Sequence, residues 1–239
     1  MVAELKRDAL IHYEFRFADG RCWQHDVFLT ALAEEEPATT IALPDWTGLS
    51  FHQCDHCPLK AHEVPRCPFA MALLRPVEML TQRNSYEGVE VVVHWRGREI
   101  RQHTTLQRGL GSLLGVLGAT SGCPHTRMMK AMAWFHLPFS TSDETLYRAL
   151  GTYLLGQFLR AKRGQASDWS LQGLRDIYRN LRQVNLGMSR RLRAAAEDDS
   201  SVNGLILLDL LAADTLYALD QYEGELDLFF QDYFDDSGC

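Results

Sequence analysis

Two regimes of hydrophobic patterning divide the chain. From Leu10 to Phe17, Ile11, Tyr13, Phe15 and Phe17 alternate with His12, Glu14 and Arg16, and Ala18-Asp19-Gly20 supplies a turn before the alternation resumes over Arg21 to Thr30. Period two followed by a Gly-containing turn predicts a β-hairpin. A second hairpin is predicted over Gly88 to Leu106, with Val89, Val91 and Val93 alternating and Arg96-Gly97-Arg98 at its turn. Between the hairpins, from Glu34 to about Met71, five prolines (Pro37, Pro44, Pro58, Pro65 and Pro68) exclude long regular elements.

After Thr105 the spacing changes to three and four. It predicts helices near 107–120, 124–136, 142–163, 170–197 and 201–221. Thr141 and Glu144 have the spacing of a capping box at the start of the third. Leu205 to Leu219 is apolar almost all round, as in a buried central helix. The pattern predicts an α+β fold: two N-terminal antiparallel β-hairpins with a Cys/Pro-rich metal-binding insert, then a bundle of about five helices. The regions are 1–106 for the hairpins, with the insert at about 34–71, 107–221 for the bundle, and 222–239 for an acidic aromatic tail. One cooperative domain is expected.

Composition narrows the classes. With 239 residues, 46% apolar and 23% charged, the chain can build a substantial core. Lys plus Arg number 24 against 31 Asp plus Glu, for a net charge of −7, which disfavours a globally basic nucleic-acid binder. Met1 to Leu10 lacks a leader pattern, and no run approaches the ~20 apolar residues of a membrane span. A soluble cytoplasmic protein with reduced thiols is expected.

The cysteines carry the chemistry. Cys54-Asp55-His56-Cys57 is followed by Cys67 and, much later, by Cys123 in Ser121-Gly122-Cys123-Pro124-His125. A CxxC turn can present two sulfurs to one ion, and a tetrahedral site needs two further ligands. Cys67 and Cys123 are the natural candidates, and His125, His52, His56 or His62 could replace one of them. Cys123 would tie the insert to the helices. Gly122 can end one helix and Pro124 begin the next, making Cys123 an N-cap whose amides favour thiolate. Structural zinc is the leading reading. Proline directly after Cys57, Cys67 and Cys123 keeps an iron–sulfur cluster or thiol redox use as alternatives. The pattern does not match a haem attachment site, HExxH, a zinc deaminase, a P-loop or GxGxxG.

The segments CDHCPL, RCPFA and LQRGLGSLLGVLGATSGCPHTRMMKAMAWFHLPFSTSDET resemble an uncharacterised bacterial family of unknown function. The resemblance runs from the first hairpin to about Phe158 and is densest over Ser121–Thr145, with its GCPH and FHLPF blocks. It supports the motif boundaries and implies no activity.

Other features have plainer readings. His125, Met129, Met132 and His136 would share one helical face, more as core than as soft metal ligands. Gly111, Gly115 and Gly118 suggest close helix contact. Asp209 and Asp214 should pair with arginines of the preceding helix. Arg175, Arg179, Arg182 and Arg190 could meet phosphate, but a protein partner or homo-oligomer is favoured over nucleic acid. Three functions follow as expectations: a non-enzymatic zinc-stabilised interaction or regulatory protein, an iron–sulfur or thiol redox protein on the same cysteines, and a metallohydrolase with three zinc ligands in which His125 or Glu63 assists water.

Overall fold

The alternating segments form one four-stranded antiparallel sheet. The computed structural model describes residues 9–30, 43–80, 83–195, 209, 212–221, 224 and 226–234. Strands β1 (Leu10–Phe17), β2 (Cys22–Phe28), β3 (Gly88–Trp95) and β4 (Arg98–Thr105) lie in the order β2-β1-β3-β4. Leu10 pairs with Phe28 and Ile11 with Trp95, so the two hairpins join through β1 and β3. Register follows burial: Ile11, Tyr13, Phe15, Val91 and Val93 are fully buried on one face. His12, Glu14 and Arg16 take the other face, where Arg16 bridges Glu14 and Glu90. Arg96 and Gly97 both have positive φ, the backbone of a two-residue type I′ turn.

Helix α3 (Leu106–Thr120) crosses the apolar face. A Cβ on its Gly109 would stand 2.7 Å from Val91 and 3.0 Å from Phe15, so only glycine lets the helix approach the sheet this closely. Before the second hairpin lie two short helices, α1 (Pro68–Ala72) and α2 (Leu74–Leu80); a Cβ on Gly118 of α3 would be 3.1 Å from Phe69 of α1. Of the glycines expected at a close contact, Gly118 makes one, whereas Gly115 is exposed and the approach to the sheet is made by Gly109, outside that stripe.

The predicted helix over 124–136 is replaced by a turn, a 3-10 segment (Arg127–Met129) and the short α4 (Lys130–Trp134). The supposed stripe accordingly splits. His125 lies against His56, whereas His136 Nε2 shares a 2.5 Å hydrogen bond with the buried Tyr13 hydroxyl. Helix α5 (Ser142–Lys162) falls within one residue of its predicted ends, and α6 (Gln172–Ala195) starts within two residues of its predicted start, its predicted end at 197 lying outside the described residues. Thr141 and Glu144 form the reciprocal capping box.

Helix α6 joins two apolar clusters. Its Val184, Met188 and Leu192 belong to the core under the sheet, while Leu174 and Tyr178 pack with Leu146 and Ala149 of α5 and with Leu219. Residues 212–220 are helical, but Asp214 and Tyr217 are exposed there, so the all-round burial expected for this segment does not hold. Asp209 pairs with Arg182 at 3.3 Å, as the pairing argument anticipated, whereas Asp214 needs no such partner in water. The first part of that predicted helix, the start of the insert and much of the tail lie outside the described residues. Among the described residues, no helix is long and apolar enough to cross a membrane.

Candidate metal centre

Three stretches of chain bring thiols to one place. The insert is pinned by a bridge between Gly48 and Arg66 and by Leu49 N–H donating to Pro65 O at 2.9 Å. Cys57 N–H donates to Cys54 O at 2.9 Å, closing the CxxC turn. Cys67 N–H reaches Thr47 O at 2.8 Å, and Cys67 is the residue before α1, with Pro68 at the first helical position. Cys123 follows Gly122, whose φ of 87° turns the chain out of α3.

Cys54, Cys57, Cys67 and Cys123 line a single cavity of ≈ 20 Å³, about enough for one water-sized particle or ion. His125, Arg191, Leu49, Phe69, Val184 and Met188 line it as well. All four cysteines are free thiols. As the side chains stand, no three described His, Cys, Asp or Glu groups form a set able to hold a metal ion. The fold thus gathers the sulfurs around one space without clenching them into a coordination shell.

Electrostatics at the cavity have two sides. Burial, reinforced by the neighbouring thiols of Cys67, Cys57 and Cys123, pushes the Cys54 thiol up to about 11, against the pull of Arg191. The Cys123 sulfur accepts from the backbone N–H groups of His125 and Thr126, as an N-cap would, yet its burial outweighs them and its pKa is raised. The expected preference for thiolate is therefore corrected: without a cation, burial favours the protonated thiol. A bound cation reverses that balance by deprotonating a coordinating thiol.

His125 is turned partly away from ligand duty. Its Nε2 contacts the His56 carbonyl at 2.9 Å, and its ring stacks on His56 with centroids 3.9 Å apart. Burial, then His125, lowers the His56 pKa. His62 and Glu63 pair with each other at 3.4 Å on the surface and are not among the cavity-lining residues; nor is His52, which is exposed.

One important residue was not singled out by the sequence. Arg191 is 1% exposed; its Nη1 donates to Trp46 O at 2.6 Å and Gly48 O at 2.5 Å, and its Nη2 to Leu49 O at 3.2 Å. Burial lowers its pKa, while Cys67, Cys54 and Cys57 act to raise it. A signal existed: Arg191 follows Val184 and Met188 at steps of four and three, on the buried side of α6. Gly187 of α6 lies directly behind Cys54, because a Cβ there would stand 2.6 Å from the Cys54 sulfur.

The arginines considered for phosphate are paired within the chain. Arg175 meets Asp220 at 2.8 Å, Arg179 meets Asp176 at 2.8 Å, Arg182 meets Asp209, and Arg190 lies 3.9 Å from Asp55.

No curated protein and no solved structure matches the chain. The sequence profile of the family DUF6901, a domain of unknown function, matches residues 11–231, and the chain belongs to that family.

Proposed function

We propose that this is a non-enzymatic, zinc-stabilised interaction protein in which Cys54, Cys57, Cys67 and Cys123 hold the ion. The observation that carries this reading is the opening of all four thiols, from three separate stretches, onto one ion-sized cavity beside a buried arginine. Four thiolates around zinc form a closed tetrahedral set that leaves no position for a reacting water. Such a site would carry net negative charge, and Arg191 supplies a nearby cation in a setting where water is scarce. The gain is structural: the ion would tie the Pro-rich insert to the chain just after α3, whereas the bridge between Gly48 and Arg66 pairs the insert only with itself. Completing the set requires the thiols to turn inward, and each cysteine sits in a turn or just before a helix.

The test is elemental analysis of protein purified without added metal, with Cys123→Ser alongside. One zinc per chain in a colourless wild type, and loss of metal with faster proteolysis of the insert in Cys123→Ser, support the reading. A metal-free wild type, or unchanged metal in the variant, overturns it. Iron with a broad band near ~400 nm would transfer the same cysteines to the cluster reading that the prolines after Cys57, Cys67 and Cys123 favour.

A further inference from the structure

Helix α5 carries an apolar stripe that the described part of the chain leaves in water. Glu144, Tyr147, Gly151, Leu155, Phe158 and Lys162 follow at steps of three and four and are all exposed. Leu155 is 56% exposed and Phe158 46%. Of the α5 residues beyond Tyr153, only Gln157, on the opposite side of the helix, is buried. A Cβ on Gly151 would meet nothing within 4 Å, so the backbone is bare at the middle of the stripe.

We infer that this stripe pairs antiparallel with the same stripe of a second copy of the chain, forming a two-fold dimer. The argument is self-complementarity, which an isologous contact requires. Glu144 and Lys162 lie at opposite ends of one face, about 27 Å apart along the axis. An antiparallel pair centred near residue 153 sets each Glu144 against Lys162 of the other copy. The same centre sets Leu155 against the bare backbone at Gly151, and Tyr147 against Leu159. A parallel pair would instead oppose like charges. The charge difference extends beyond these two residues. Asp143 neighbours Glu144, whereas Arg160 and Arg163 flank Lys162. Phe230 stacks near Tyr147 with centroids 6.3 Å apart, which brings Asp232 and the exposed Tyr233 to the acidic end. The inference is independent of the metal, and supplies the partner that an interaction protein needs.

The full-length protein, with its metal content measured on the same samples, is examined by sedimentation equilibrium over a concentration series. A dimer is expected. Leu155→Arg, at an exposed position, should leave the circular dichroism spectrum and melting curve in place and yield a monomer. Glu144→Lys and Lys162→Glu alone should each weaken association by about tenfold through facing like charges. An equimolar mixture of those two variants should regain dimer, because each copy then offers the charge that the other lacks. A monomeric wild type overturns the proposal. So does a dimer that survives Leu155→Arg, as does a mixture that associates no better than its components. A wild-type dimer without metal would leave this inference standing and remove only the zinc reading.

Discussion

Gly187 and Cys54 are neighbours so close that a Cβ on the glycine would stand 2.6 Å from the sulfur. The glycine lies within α6, where it costs up to ~1 kcal/mol of helix propensity relative to alanine. Close approach of the CxxC turn to the helix is what that cost permits. Gly187→Ala should therefore keep the fold, since the helix gains propensity while the thiol rotates or moves outward. The displaced sulfur should bind metal less well. Release of zinc to a colorimetric chelator should be faster than from wild type, and alkylation of Cys54 should accelerate. Equal release rates would show that the Cys54 sulfur binds no ion from this position.

Arg191 holds three carbonyls of the insert with one guanidinium. Arg191→Met removes those bonds and leaves the oxygens of Trp46, Gly48 and Leu49 to find water. The expected loss is ~3 kcal/mol, read as a lower urea midpoint, together with earlier protease cleavage between residues 43 and 67. Arg191→Lys should recover only part of this, because an ammonium cannot reproduce the planar fork. A methionine variant with wild-type stability would remove Arg191 from the anchoring role.

Periodicity made the sheet and the long helices legible. Alternation at Ile11–Phe17 and Val89–Val93 decided which face is buried, and the Thr141–Glu144 spacing placed the start of α5 correctly. The same periodicity misled over 124–136, where the turn at Cys123 and the bond from Tyr13 to His136 draw the two ends of a helical pattern to different neighbours. The short helices at Pro68–Ala72 and Leu74–Leu80 had too few residues to show a period. At the site, the cysteines could be found from spacing alone. Arg191 was hidden among nine basic residues between 160 and 193, because burial of a charge depends on carbonyls supplied 142 or more residues earlier in the chain. The spacing of Arg191 from Val184 and Met188 marks it as inward-facing, but local pattern does not name the carbonyls it meets.

Two histidines should make the fold acid-sensitive above the carboxylate range. Burial, then the Arg148 charge, lowers His136 from 6.5 to about 3; burial, then Arg75, lowers His25 to about 4. In both cases the unfolded chain binds a proton that the folded chain refuses. Stability is therefore fully present above about pH 6.5 and falls as pH drops towards those folded values, by up to ~1.4 kcal/mol per pH unit for each histidine. His136→Gln can still hydrogen-bond Tyr13, as donor or acceptor, and should flatten the wild-type slope between pH 6.5 and 4.5, measured as the urea midpoint against pH. An unchanged slope in both His136→Gln and His25→Asn would assign the acid sensitivity to other groups.

Glu144 has two roles, and one substitution separates them. Its carboxylate accepts from Thr141 N–H at 2.8 Å while Thr141 Oγ1 accepts from Glu144 N–H at 3.3 Å. Thr141→Ala breaks that exchange and should cost ~1 kcal/mol of stability. Glu144→Gln keeps an acceptor oxygen in the same place, so the cap survives and only the charge is lost. The glutamine variant should therefore melt close to wild type, yet associate more weakly than wild type because Lys162 of the second copy faces a neutral amide. Thr141→Ala should show the converse, with lowered stability and association little changed in conditions where the chain remains folded. If Glu144→Gln lowered stability as much as Thr141→Ala while leaving association intact, the carboxylate would act within its own helix alone.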